Sequence, residues 1–142
     1  MSETNVEIYR RLIEAFNREG TAGVLPFFAA DAEVYDPDAP QGRAYRGRDA
    51  VARFIGELTA GSEVAVRELR MFTAGDRVVG MTHTQRSRSK DGSEVGLIEA
   101  HTLTFRDGKV VYWRAYLDPA EALADAGLDP GILAEPDPEP AP

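Results

Sequence analysis

The residues best suited to chemistry lie between Thr82 and Leu117. This stretch reads as three consecutive strands joined by two Asp-Gly turns, Asp91-Gly92 and Asp107-Gly108. Side chains alternate along a strand, so its odd-numbered residues share one face. On that face His83, Gln85, Glu99 and His101 lie beside Trp113, among apolar neighbours such as Met81, Leu97 and Leu103. An imidazole titrates near neutrality and a nearby carboxylate can orient it. Set on the inner face of a curved sheet, such groups could take a proton or donate to a developing enolate. Cysteine is absent, so thiol nucleophiles, disulfides and thiolate metal sites are excluded, and His83 and His101 are the only imidazoles.

Parity tests how these residues meet. Directly opposed residues of an antiparallel pair share a face, so odd must oppose odd if this face is continuous. A two-residue turn would oppose odd to even. The sequence therefore predicts a three-residue loop or a bulge at each turn, with positive φ at Gly92 and Gly108. His101 then falls opposite or diagonal to His83 on one side and to Ala115 on the other, and Glu99 falls near Gln85. Plainer readings stand beside this one. The histidines could be a satisfied core pair bonded to Gln85 and Glu99, and Trp113 could be core. A metal site of two histidines with Asp36 or Glu99 has no supporting spacing, so neither metal nor cofactor is expected.

The elements that position these residues follow from periodicity. Thr4-Asn-Val-Glu7 forms a capping box ahead of a helix with Val6, Tyr9, Leu12, Ile13 and Phe16 on one stripe. Gly20 ends it, and a short second helix carries Val24, Leu25, Phe27 and Phe28, limited by Pro26. Ala32 to Asp36 is a short strand and Pro37 to Arg48 a loop. A third helix, about Asp49 to Ala60, places Val51, Phe54, Ile55 and Leu58 together. Glu63 to Thr73 is a long strand whose alternation slips phase near Arg67-Glu68, the mark of a β-bulge. Strands Arg77 to Ser89, Glu94 to Arg106 and Lys109 to Leu117 follow, and Asp118-Pro119 caps a last helix, Ala120 to Ala126. Residues 1–134 read as one domain, and the acidic, Pro-rich residues 135–142 as a disordered tail.

The chain has 142 residues, 43% hydrophobic and 28% charged, with a formal net charge of −8. That length supports a core without staples, and the acidity argues against a nucleic-acid partner. No apolar run approaches the roughly 20 residues of a membrane span. No secretory signal is visible at the N-terminus, so a cytoplasmic location is expected.

Three segments carry a resemblance: FFAADAEVYDP (Phe27 to Pro37), YRGRDAVARF (Tyr45 to Phe54) and GKVVYWRAYLDPAEALADAGL (Gly108 to Leu128). With three helices, a short strand and then a long meander, the chain resembles the nuclear transport factor 2-like superfamily, and within it the SnoaL-like and ketosteroid-isomerase-like proteins. The resemblance implies an α+β cone, a curved antiparallel sheet packed with three N-terminal helices. It also implies that Asp36, in AEVYDP, falls at the base that moves a proton between carbons. Leu12 stands where the isomerases carry an oxyanion-hole Tyr, and His101 where they carry an Asp. Trp113-Arg114-Ala115-Tyr116 is similar to the Trp-Arg-Asp-Tyr of limonene-epoxide hydrolases, with Ala115 at the catalytic Asp and with His83 and Gln85 at that family's Arg and Asp partners.

Together these readings give an expected function. It is a cofactor-independent enzyme, a proton-transfer isomerase or cyclase acting on an apolar, carbonyl-bearing small molecule. Asp36, His101 and His83 are its expected catalytic groups; Gln85, Glu99, Trp113, Leu12, Met81 and Phe54 are its expected substrate contacts. A non-catalytic ligand-binding or dimerisation domain and an epoxide hydrolase or cyclase are the alternatives. The outer sheet face, with Ile98, Tyr112 and Tyr116 among Thr and Arg, is expected to lack a covering helix and to pair two copies of the chain.

Overall fold

The computed structural model describes residues 4–35, 44–88 and 90–134. Asp36 and the tail 135–142 lie outside the described residues. The chain opens with helix α1 (Asn5–Glu19). Its capping box forms: Thr4 Oγ1 accepts from the Glu7 amide at 3.2 Å, and the Glu7 carboxylate accepts from the Thr4 amide at 3.3 Å. Helix α2 (Thr21–Val24) is one turn long and runs into a 3-10 turn, Leu25–Phe27, with Pro26 in its first turn. Strand β1 (Phe28–Tyr35) is longer than expected, and strand β2 (Ala44–Arg46) lies inside the stretch read as a loop, paired antiparallel to β1. Helix α3 (Arg48–Thr59) follows. Strands β3 (Ser62–Ala74), β4 (Arg77–Arg88), β5 (Glu94–Arg106) and β6 (Lys109–Tyr116) form the meander, and helix α4 (Pro119–Asp125) is capped by Asp118.

The described strands form one mixed sheet in the order β2-β1-β6-β5-β4-β3, with β1 parallel to β6 and the other pairs antiparallel. Helices α1 to α3 pack on its concave face. Ile8, Tyr9 and Ile13 of α1 and Val51 and Ile55 of α3 are buried with Val34, Val78, Leu103 and Phe105 of the sheet. This is the α+β cone that the resemblance implies. No helix among the described residues is long and apolar enough to cross a membrane.

The convex face is not left bare, contrary to expectation. A second cluster packs α4 and the following 3-10 turn (Pro130–Ala134) over one end of it, burying Leu123 and Ala122 against Val79, Ala100 and Tyr116. The Tyr116 hydroxyl donates to Asp125 at 2.9 Å. Farther along β5 the sheet is uncovered, and Ile98 is half exposed.

The register of the meander corrects the parity expectation at one turn and meets it at the other. The chain turns between Arg88 and Ser93, four sequence positions lying between them: the Arg88 amide donates to the Ser93 carbonyl at 2.9 Å, and the Gly92 amide to the Arg88 carbonyl at 2.9 Å. Four is an even number, so β4 and β5 pair even with odd throughout: Gly80 opposes His101, Thr82 opposes Glu99 and His83 opposes Ile98. At the next turn Asp107 and Gly108 both have positive φ, 53° and 76°, the two-residue geometry suited to strand twist. A bulge between Thr104 and Phe105 then restores odd with odd, so that His101 opposes Ala115 and Leu103 opposes Trp113. The bulge read in β3 is present, between Glu68 and Arg70.

Candidate functional site

The even–odd pairing decides which side chains meet. The concave wall is made by Thr82, Thr84 and Arg86 of β4 and by Glu99, His101 and Leu103 of β5, with Trp113 and Ala115 of β6. Between this wall and helices α1 and α3 lies a cavity of about 370 Å³, within the range of small-molecule sites. Leu12, Phe16 and Ile13 enter it from α1, and Phe54 and Leu58 from α3. A larger open groove, about 640 Å³, runs along the start of α1, but its basic groups are committed. There Lys109 donates to the Pro26 carbonyl at 2.7 Å and Arg11 lies over the Phe27 ring.

Of the expected site residues, His101, Glu99, Trp113, Leu12 and Phe54 line the cavity. His83, Gln85 and Met81 do not; they share the convex face with Ile98, Gly96 and Ala100, their partners across β5. The physical reason is the register set where Arg88 pairs with Ser93, which opposes even to odd and turns the odd residues of β4 outward. His83 has a packing role there. A methyl group at Gly96 would sit 2.8 Å from His83 Nε2, so the imidazole covers the strand where the glycine leaves it bare.

Trp113 fixes the chemistry of His101. The indole Nε1 lies 3.0 Å from His101 Nδ1. An indole N–H can only donate, so Nδ1 must accept, and the ring is the neutral tautomer with its proton on Nε2. Burial pushes the His101 pKa down, against the opposing pull of the Glu99 carboxylate. Burial is the larger effect, and with the indole hydrogen bond it agrees with a neutral ring that offers an N–H. Trp113 is itself held edge-on to Phe54, with ring centroids 5.3 Å apart, and tilted against Phe28 at 6.2 Å. It is therefore both cavity wall and orienting group.

Two cavity residues escaped the sequence reading. Tyr9 is buried on α1, and the hydroxyl end of its ring lies over Gly80: a methyl group there would sit 2.6 Å from the phenol oxygen. Gly80 is the register partner of His101, so the phenol lies over the strand position opposite the imidazole. Burial first, then Glu68 and Glu99, raise the Tyr9 pKa, so the phenol stays protonated and can donate. Thr82 is 1% exposed, and its hydroxyl has no hydrogen-bond partner among the described residues. An unpartnered buried hydroxyl facing a cavity is a group a ligand can satisfy. Part of the signal for Tyr9 is in the sequence: it stands on the inward stripe of α1, and Gly80 interrupts a strand, which marks a close approach; the inward face of Thr82 follows only from the register of β4.

Thr82, Glu99 and His101 thus occupy neighbouring positions on two paired strands, with Tyr9 of α1 set over them. Opposed Cβ atoms lie about 5 Å apart, and same-face neighbours along one strand about 7 Å. Three of the four can donate a hydrogen bond, and the fourth is a carboxylate. Apart from this patch and Arg86, the cavity is largely apolar.

A SnoaL-like domain matches residues 9–113. The chain belongs to the SnoaL-like family. The SnoaL-like chain is similar in structure to a nuclear transport factor 2-like protein of unknown function from Burkholderia pseudomallei, at 25% identity and TM-score 0.70, over 87% of this chain and 97% of that one. It shares its fold with a candidate polyketide cyclase from Xanthomonas campestris (22% identity, TM-score 0.68, 86% of this chain and 96% of that one). It also shares its fold with a limonene-epoxide-hydrolase-like epoxide hydrolase from Mycobacterium tuberculosis (17% identity, TM-score 0.65, 80% and 82%). No curated protein matches the SnoaL-like chain in sequence.

Proposed function

We propose that the cavity catalyses proton transfer at the carbon next to a carbonyl, as an isomerase or cyclase without a cofactor. The observation that carries this reading is the Trp113–His101 hydrogen bond, which leaves a neutral Nε2–H beside an unpaired carboxylate in an apolar enclosure. In the reaction Glu99 would take a proton from the α-carbon; the electron pair of that C–H bond would form the C=C bond of an enolate as the carbonyl π pair moves onto oxygen. Tyr9 O–H and His101 Nε2–H would hold the resulting enolate by hydrogen bonds. Isomerisation follows if Glu99 returns the proton to a conjugated carbon, and cyclisation if the enolate carbon attacks a second carbonyl in the same molecule, whose oxygen then takes the proton from Glu99. The resemblance puts a base at Asp36, outside the described residues; Glu99 is the carboxylate that lines the described cavity. Epoxide opening by the hydrolase residue set has less support, because Ala115 lines the cavity without a carboxylate and Gln85 faces the other way.

Deuterium exchange at the α-carbon of a medium-chain methyl ketone, followed by proton NMR, tests the proposal. Wild-type protein should accelerate exchange, Glu99→Gln should abolish it, and Asp36→Asn should leave most of it. Exchange that survives Glu99→Gln unchanged overturns the role of Glu99. The same reading takes the uncovered convex surface around Ile98 and His83 as the place where two copies pair, which sedimentation would check.

A further inference from the structure

The cavity has a second polar feature at a distance from this patch. Arg86 lines it four residues farther along β4 than Thr82, a separation of roughly 13 Å along an extended strand. It is the one cation among the described residues that line the cavity. The other partly buried arginines are engaged. Arg70 donates to the Ile132 carbonyl and lies over Phe72, and Arg114 is stacked between Tyr35 and Tyr116 at 4.1 and 4.8 Å. Among the described residues, Arg86 has neither an ion pair, a hydrogen bond nor an aromatic ring to rest on. Its neighbours across the strands are Val64 and Val95, so neither flanking strand offers it an anion. A guanidinium held against apolar surface and left without an anion favours a ligand that brings one, because its planar donors match a carboxylate.

We infer that the molecule held here is an elongated amphipathic carboxylic acid, with its carboxylate on Arg86 and its carbonyl at Tyr9, Thr82 and His101. The inference rests on the cavity being the substrate site. The apolar wall between the two ends, formed by Val64, Val66 and Leu58, takes the hydrocarbon body. The unpartnered Thr82 hydroxyl at one end and the unpartnered Arg86 at the other set the length and polarity of the ligand. Glu99 carries the opposite charge, so it repels a carboxylate from the reacting end and orients the acid with its head at Arg86.

Calorimetric titration with decanoate and decan-1-ol, matched in chain and different in head group, tests this. Wild-type protein should bind the acid at least about tenfold more tightly than the alcohol. Arg86→Gln should remove that preference while leaving the alcohol's affinity unchanged. Arg67→Gln, the same change of charge at an exposed position of β3, should leave the preference intact. Equal binding of acid and alcohol by wild type, a preference that survives Arg86→Gln, or no binding of either probe overturns the inference. The readout is binding, so a failure of Glu99 in the exchange assay would remove the proton-transfer chemistry without touching this result.

Discussion

Trp113 Nε1 donates to His101 Nδ1 at 3.0 Å, across a diagonal of the β5–β6 pair. The bond determines which imidazole nitrogen the cavity sees, and its loss should be measurable. Trp113→Phe keeps a ring against Phe54 but removes the N–H. His101 Nδ1 then has no donor and the ring can change tautomer. We expect a loss of about 1 kcal/mol of stability from the broken bond, and ¹⁵N shifts of His101 that move from a single Nε2–H tautomer to a mixture. Unchanged shifts would show that another group holds the ring.

The same histidine should give stability a pH dependence with a definite sign. Burial lowers its pKa in the folded state, while the unfolded chain titrates near 6.5. Above that value both states are neutral at His101 and stability is flat. Below it the unfolded state takes up the proton first, so stability falls as pH falls, by at most about 1.4 kcal/mol per pH unit, until the folded ring also titrates. Asp31 and Asp91, whose pKa values are lowered chiefly by hydrogen bonds from Arg106 and Ser93, act below the ordinary carboxylate range and do not enter this window. Urea denaturation at pH 7.5 and 5.5 should show the drop in wild type. In His101→Gln the difference should shrink; an equal drop in both would assign it elsewhere.

How much of this was legible in the sequence depends on what each feature needs. The capping box at Thr4, the bulge in β3, the bounds of β5 and the positive φ at Gly92 and Gly108 are local matters of a few residues, and they were read correctly. The face of β4 depended on the number of residues in one loop. Arg88 and Ser93 pair across four residues, and the Asp-Gly pair sits at the end of that loop rather than forming the whole turn. One residue more would have brought His83 into the cavity; as built, Thr82 is there instead. Strand β2 was missed because three residues flanked by Pro and Gly carry too little periodicity. Tyr9 needed knowledge of what faced it, which only the register of β4 supplies.

Gly80 is therefore a position where a small change should act on the site. A methyl group there would lie 2.6 to 2.8 Å from the hydroxyl end of the Tyr9 ring, closer than atoms can remain. The ring must swing away or the strand must shift, at a cost of about 1–3 kcal/mol. Gly80→Ala should lower the melting temperature and lose most activity. Tyr9→Phe should lose activity with the fold intact, and combining the two should restore part of the stability, since Phe lacks the oxygen that clashes most closely. No recovery in the double variant would place the strain elsewhere.

The edge of the sheet gives the last prediction. β3 is the end strand, and its outer backbone groups would be open to pairing with another chain. Asn17 of α1 closes that edge at one residue: its Nδ2 donates to the Val66 carbonyl at 2.8 Å, and its Oδ1 accepts from the Val66 amide at 2.8 Å. The carboxamide presents one donor and one acceptor, as a neighbouring strand would. It also ties α1 to the strand whose Val64 and Val66 form the cavity wall, alongside the Arg10–Glu68 ion pair at 2.8 Å. Asn17→Ala should cost about 1–3 kcal/mol if the Val66 groups are left unpaired, speed hydrogen exchange of the Val66 amide, and increase aggregation on heating. Asn17→Asp keeps the acceptor and loses the donor, so it should protect the Val66 amide while still weakening the link. Because the cavity wall is anchored through this contact, Asn17→Ala should also weaken decanoate binding, whereas a slow Val66 amide in that variant would show that the helix closes the edge without Asn17.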